Sequence, residues 1–453
     1  MHKKWYIIIL LALGLLTRFI FFGHPNETVF DEVHFGKFIS GYYTQEYFFD
    51  IHPPAGKLAI AGFAKLFNFK PGFAFTDIGN KYPDNQHLIL RFLPSLAGAL
   101  LPVVIYLLLI EMGINRLASF FGGLLIVFEN ALLTQSHYIL LDSFLLLFGF
   151  SALLFYFKSQ KPWAPSHIMR WCPWFLFGFF SGLALSIKWT GLGFLALPLL
   201  IEFVKIVKEK DFKKFLTILL PPVAIALLVY SVIFLAHLII LDKSGPGDAF
   251  MSQGFQKTLA GNQYANNPNI KESNLFQKFT ELNFEMYKAN QRLGAHHSYS
   301  SSWYSWPLMT RPIYYWVKDN QRIYLIGNPI IWWASTVAVI LLLLQIATSK
   351  WQKVKQFNLN NSPPTFLMAG YMINLLPFIG VKRIMFLYHY FTAYIFAIMA
   401  LVWLISQTKN SEKIFRVLIV AAIASFIFFA PLSYGLELSP RAYELRVWLA
   451  SWR

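Results

Sequence analysis

The sequence predicts an all-α polytopic membrane protein of about eleven transmembrane helices, with two large loops on its outer face. Three observations point there. Of the 453 residues, 56% are hydrophobic and only 13% are charged, whereas a soluble domain carries roughly 25% charged residues. Apolar runs near twenty residues, the length that crosses a bilayer, recur along the chain. The cations gather in alternate short loops, as the positive-inside rule requires.

The spans fall at about 5–22, 91–109, 117–135, 139–157, 174–190, 191–207, 215–241, 326–346, 365–380, 384–405 and 417–434. The stretch 57–69 is apolar but too short to cross, so it reads as an interfacial or re-entrant helix. With the N-terminus inside, inner loops hold Lys4, Arg116, Lys158, Lys161, the lysines between Lys205 and Lys214, Lys353, Lys355, Lys409, Lys413 and Arg416. The loops 23–90 and 242–325 then lie outside with the C-terminus. The start of the chain has no small-residue cleavage site after Trp5–Phe22 and reads as a retained first span.

Inside 242–325, a Gly/Asn-rich piece from Gly245 to Asn269 suits turns. Leu275, Phe279, Leu282, Phe284 and Met286 then recur near helical spacing, as in a helix lying on the membrane surface. The aromatics Trp303, Trp306, Tyr314, Tyr315 and Trp316 read either as an interfacial belt or as part of a substrate site. No repeat or soluble module breaks the chain, so residues 1–453 form one integral membrane domain.

The formal net charge of +17 follows from the cationic loops. No basic cluster is interleaved with base-stacking aromatics, so the partner is a lipid bilayer and not nucleic acid. One cysteine, Cys172, excludes an intramolecular disulfide and a Cys-based metal site. His296 and His297 are adjacent, and no paired metal-ligand spacing exists. No cofactor is expected, and a divalent-metal requirement stays open.

The chemistry concentrates at the exit of the first span, where Asp31 and Glu32 stand side by side. Adjacent side chains diverge on any regular backbone, so they are not a facing acid/base pair. One carboxylate as a general base is the functional reading, and an N-cap on a loop helix is the structural one. His52-Pro53-Pro54 follows Asp50. The prolines fix an extended entry to a helix, and His52 either bonds substrate or caps. Arg91, Lys188, Lys382 and Arg383, with His389 close behind, fall at the outer ends of spans. Each can snorkel to the interface; together they form a basic ring suited to a lipid-linked phosphate. Asp142 and Glu129 are acids at span ends, structural or part of the site. A phosphate-cradling glycine loop is absent, which fits a donor arriving through the bilayer.

These residues resemble the protein O-mannosyltransferase family, multi-span enzymes that use lipid-phosphate sugars. The matching pieces are Asp31–Lys37, Tyr47–Pro54, Arg91–Ala99, Gln135–Asp142, Lys188–Gly191, Ser302–Pro307 and Phe386–Phe391, in family order across nearly the whole chain. The resemblance implies a GT-C fold and inverting transfer of mannose from a polyprenyl or dolichyl phosphate to Ser or Thr of a secreted or membrane protein. By the same resemblance Asp31 is the base and Glu32 helps place the acceptor. Arg91 and Lys188 hold the donor phosphate, with Arg383, His389, His52 and Asp142 as further site residues. Family members often carry Arg at the position of His137. Loop 242–325 is too short for the β-trefoil domain of eukaryotic members. The chain therefore resembles the compact bacterial type, in the plasma membrane with its site on the outer face. The alternatives are a related transferase acting on a lipid or glycan, and a transporter or flippase. The latter predicts inverted repeats and mid-bilayer charges that the sequence lacks.

Overall fold

The apolar runs do become helices. The computed structural model describes residues 3–160, 167–292, 294, 297–352 and 363–453. Lys161, Lys353, Lys355 and His296 lie outside the described residues. The first half contains α1 (Lys3–Phe19), α2 (Glu32–Thr44), α3 (Ala55–Lys65), α4 (Gln86–Glu111), α5 (Arg116–Val127), α6 (Asn130–His137), α7 (Asp142–Ser159), α8 (His167–Ile187), α9 (Leu192–Glu209) and α10 (Leu220–Ile240). The second contains α11 (Gln253–Lys257), α12 (Leu275–Arg292), α13 (Pro329–Gln352), α14 (Pro363–Leu375), α15 (Phe391–Ser406), α16 (Ser411–Tyr434) and α17 (Pro440–Glu444).

Every sequence-derived span coincides with helix. Among the described residues, seven helices are long and apolar enough to cross a membrane, or eight with one bent pair counted as a span. The remaining runs fall on shorter apolar stretches, such as α1 with 17 residues, Cys172–Ile187 within α8, and α14 with 13 residues. On α10, Leu227, Leu228, Val232 and Ile239 are exposed; on α13, Val337, Ile340, Leu341 and Leu344 are. Wide apolar faces of this kind suit lipid contact. The centre is α15, buried along nearly its whole length, with α7 packed between α4 and α8.

Two features depart from the sequence reading. The run 117–135 is not one straight span, because α5 and α6 meet at a bend of 56°. Glu129 sits in the break and caps α6 by accepting from the Leu132 N–H at 2.7 Å. It also accepts from the Asn328 N–H at 2.7 Å. Arg18, buried on α1, donates to the carbonyls of Ile126 (3.0 Å) and Val127 (2.7 Å) at the end of α5. A broken helix in an apolar setting must satisfy its freed backbone groups, and one acid and one arginine do so here. Glu129 is therefore structural.

The helical fold also carries a small β element. Residues Ile313–Lys318 (β1) and Gln321–Leu325 (β2) form an antiparallel hairpin with a bulge between Tyr314 and Trp316. Tyr315 and Trp316 are buried, so they are not an interfacial belt. The signal was an aromatic and β-branched run followed by the Asp319-Asn320 turn, with Asp319 at φ 50°.

Candidate active site

Asp31 immediately precedes α2, yet its side chain caps nothing. It is partly buried and lines a cavity of about 710 Å³. Among the described residues its carboxylate has no hydrogen-bond partner within the chain, so the N-cap reading fails. Burial pushes its pKa up to about 7; Lys188 opposes that rise, while Asp142 and Asp50 add to it. A carboxylate free of partners and poised near neutral pH is suited to take a proton.

Its neighbour does the opposite. Glu32 is fully buried and turned away from the cavity. It accepts from the N–H of Val29 (2.9 Å) and of Ile139 (3.0 Å), and from the Tyr82 hydroxyl (3.1 Å). Arg91 grips both its oxygens, Nε and Nη2 each at 2.7 Å. The same guanidinium donates to the carbonyls of Pro25 and Glu27, both at 2.9 Å. The two residues expected at the site stand behind the cavity and not in its lining. Glu32 does not reach a position to place an acceptor. Arg91 has no exposed surface and does not line the cavity, so it is not presented to a donor phosphate. A planar fork matched to a carboxylate in a dry site is an anchor for the loop that carries Asp31.

Asp50 and His52 do face the cavity. The Asp50 carboxylate meets His52 Nδ1 at 3.2 Å and the ammonium of Lys57. Burial alone would raise its pKa, but Lys57 and His52 hold it well below the usual carboxylate range. Lys57 is fully buried on α3 and also donates to the His52 carbonyl at 2.9 Å. The sequence reading passed over Lys57, although a lysine inside an apolar stretch was a visible signal.

Lys188 and Asp142 form an ion pair at 2.7 Å just beside the cavity. Gln135 donates to the other oxygen of Asp142 at 2.6 Å, and the Tyr315 hydroxyl donates to Gln135. Lys188 lies 5.1 Å over the Tyr388 ring, and Tyr388 lines the cavity. On the far wall Arg383 donates to Asn290 and, at 2.9 Å, to Nε2 of His389. Because arginine cannot accept, Nε2 is the acceptor of that bond, and Nδ1 stands 3.1 Å from the Phe386 N–H and 3.0 Å from the Phe386 carbonyl. His137 remains outside the site, 3.4 Å from the Phe21 carbonyl. The structure thus brings Asp31, His52, Arg383 and His389 onto one cavity, with Lys188 and Asp142 beside it and Glu32 and Arg91 behind it. Among the described residues, no cluster of three His, Cys, Asp or Glu is arranged to hold a metal ion.

Residues 8–242 match the family model described as dolichyl-phosphate-mannose-protein mannosyltransferase, just over half of the chain. The chain belongs to the protein O-mannosyltransferase family. Residues 275–452 match the model of the C-terminal four-span region of the same family. The dolichyl-phosphate-mannose–protein mannosyltransferase 4 of Schizosaccharomyces pombe is 35% identical over 280 residues, 59% of this chain and 36% of that protein. Protein O-mannosyltransferase 1 of Drosophila melanogaster is 36% identical over 271 residues, 56% of this chain and 30% of that protein. The chain thus spans about a third of the length of these curated relatives. A solved S. cerevisiae protein O-mannosyltransferase, Pmt1–Pmt2 bound to the sugar donor, shares the fold with a TM-score of 0.91. That match is 21% identical and covers 100% of this chain and 93% of that one. The GT-C membrane fold expected of the family is therefore the fold of this chain.

Proposed function

We propose that this protein transfers mannose from a polyprenyl or dolichyl phosphate to a Ser or Thr hydroxyl of a protein, with inversion. The observation that carries the reading is the Asp31 carboxylate, without a hydrogen-bond partner among the described residues and facing a cavity whose lining includes Lys288, Arg292 and Arg383. The acceptor oxygen attacks the anomeric carbon as the bond from that carbon to the phosphate oxygen breaks. The hydroxyl proton passes to Asp31, and the prenyl phosphate leaves with the bonding pair. Charge develops on the departing phosphate, where Lys188 and Arg383 stabilise it. His389 and Asn290 keep the Arg383 fork aimed into the cavity. Asp50 and Lys57 fix the His52 ring, which bonds the acceptor or the sugar. Asp142 holds Lys188, and the Glu32–Arg91 pair anchors the loop. No step requires a metal.

The site lies on the outer face of the membrane, in a compact enzyme of bacterial type whose loop 242–325 carries no separate domain. Support comes from the cavity itself, which residues of both large loops line together with Arg383 and His389. The test uses the purified chain, prenyl-phosphate mannose with labelled sugar, a Ser/Thr-rich peptide, and the variant Asp31→Asn. Label should reach the peptide with the wild type and not with the variant. Label appearing in co-purified lipid instead would move the protein to lipid glycosylation, and full activity of the variant would remove Asp31 as base.

A further inference from the structure

We infer that Tyr315 is a positioning residue of the transfer site, holding the backbone before Asp31 and, through Gln135 and Asp142, the Lys188 ammonium beside it. The inference rests on the proposed role of Asp31 and concerns a residue on the hairpin, far from it in sequence.

Two independent contacts converge on Tyr315. The first is with Phe30, the residue before Asp31. Phe30 adopts φ 47°, a left-handed conformation that is strained for a bulky side chain. Such a conformation persists only where the surroundings impose it. Here the Phe30 N–H donates to the Tyr315 carbonyl at 3.1 Å, and the two rings stack with centroids 4.0 Å apart and planes 6° apart. The hairpin therefore sets the direction in which the chain enters Asp31.

The second contact is the hydroxyl. Tyr315 is buried, and burial with the nearby Tyr388, Asp142 and Asp31 raises its pKa far above neutral, so it remains a donor. It donates to Gln135, whose amide N–H is thereby turned to Asp142 at 2.6 Å. With one oxygen of Asp142 held in this way, the other meets Lys188 at 2.7 Å. The charged groups acting on Asp31 are Lys188, Asp142 and Asp50, with Tyr315 and Tyr388 as neutral neighbours. Loss of the hydroxyl frees Gln135 and lets the Asp142–Lys188 pair drift. Either a more distant ammonium or a less satisfied Asp142 makes the Asp31 proton harder to remove.

Tyr315→Phe keeps the ring stack and the backbone bond and deletes only the hydroxyl. The measurement is carbodiimide labelling of Asp31 in the purified full chain, followed by peptide mass spectrometry across pH. This reagent reports the protonated carboxyl whether or not any transfer occurs, so failure of the inference is separate from failure of the proposed reaction. Labelling well above the midpoint, near pH 9, should run about two- to fivefold faster in Tyr315→Phe than in the wild type, a rise of about 0.3–0.7 pH units in the midpoint. Tyr314→Phe, which removes the neighbouring hydroxyl bonded to Tyr443, should leave the midpoint in place. Where transfer is measured, Tyr315→Phe should lose more activity near pH 6 than near pH 8. An unmoved midpoint, or an equal shift in Tyr314→Phe, overturns the inference; a loss of activity equal at all pH values does the same.

Discussion

Arg91 is where the expected role and the observed geometry separate most sharply, so its replacement is the most informative perturbation. Arg91 and Glu32 are both without exposed surface and joined by two bonds of 2.7 Å. Arg91→Met strands a carboxylate in a dry site and leaves the carbonyls of Pro25 and Glu27 without their donor. Removing one partner of a buried pair destabilises by about 3–5 kcal/mol, roughly two to four factors of ten in the folded-to-unfolded ratio. Adding Glu32→Gln to Arg91→Met should restore part of the loss. It removes the stranded charge, while the amide oxygen can still accept from Val29 or Ile139. The assay is denaturant or thermal unfolding of the detergent-solubilised chain, beside donor KM in whatever active fraction remains. A fully stable Arg91→Met whose donor KM rises about tenfold, the value of a lost phosphate contact near 1.4 kcal/mol, would refute the anchoring argument. It would return Arg91 to the donor phosphate.

Four further outcomes concern the pH dependence of transfer and the stability of Asp31, Lys57 and Gly36 variants. Transfer should rise with pH through about 7 as Asp31 loses its proton, since the base acts only when ionised. Folding carries the opposite sign: a carboxyl raised in the folded state loses stability as pH climbs from its unfolded value toward 7. Asp31→Asn should therefore unfold later than the wild type at neutral pH, which a thermal melt checks. Asp50 is depressed by Lys57 and His52 against its burial, so its contribution is present above the unfolded carboxylate range near pH 4 and lost below it. Lys57→Met should destabilise at neutral pH by about 3–5 kcal/mol, and the gap from wild type should narrow in acid. Gly36 lies on α2 where an added Cβ would stand 2.2 Å from the Phe75 ring. Gly36→Ala should cost about 1–3 kcal/mol through overpacking, read in the same unfolding assay, and no loss would mean that Phe75 moves aside freely.

Much of the architecture was legible because its cause is local. Bilayer thickness sets the length of an apolar run, so the places of the long helices could be read to within about seven residues. The break at Glu129 was not legible, because it depends on Arg18 and Asn328 arriving from distant parts of the chain. The hairpin was visible as an aromatic run and a turn, but the same composition describes an interfacial belt, and only burial separates the two.

The site divides along the same line. Sequence alone determined which residue types stand after the first apolar helix: two acids and a His-Pro-Pro, with cations at the ends of later helices. It could not decide which acid works and which is held. Asp31 and Glu32 have the same functional group and adjacent places, and their roles are set by what three-dimensional packing delivers to each. Glu32 receives a guanidinium, two backbone N–H groups and a hydroxyl; Asp31 receives a cavity and the charge of Lys188. Hydrogen bonds hold one carboxylate in place, while burial beside a cavity leaves the other ready to take a proton. Apart from the local Val29, those partners come from residues 82, 91, 139 and 188, separations that only the folded chain closes.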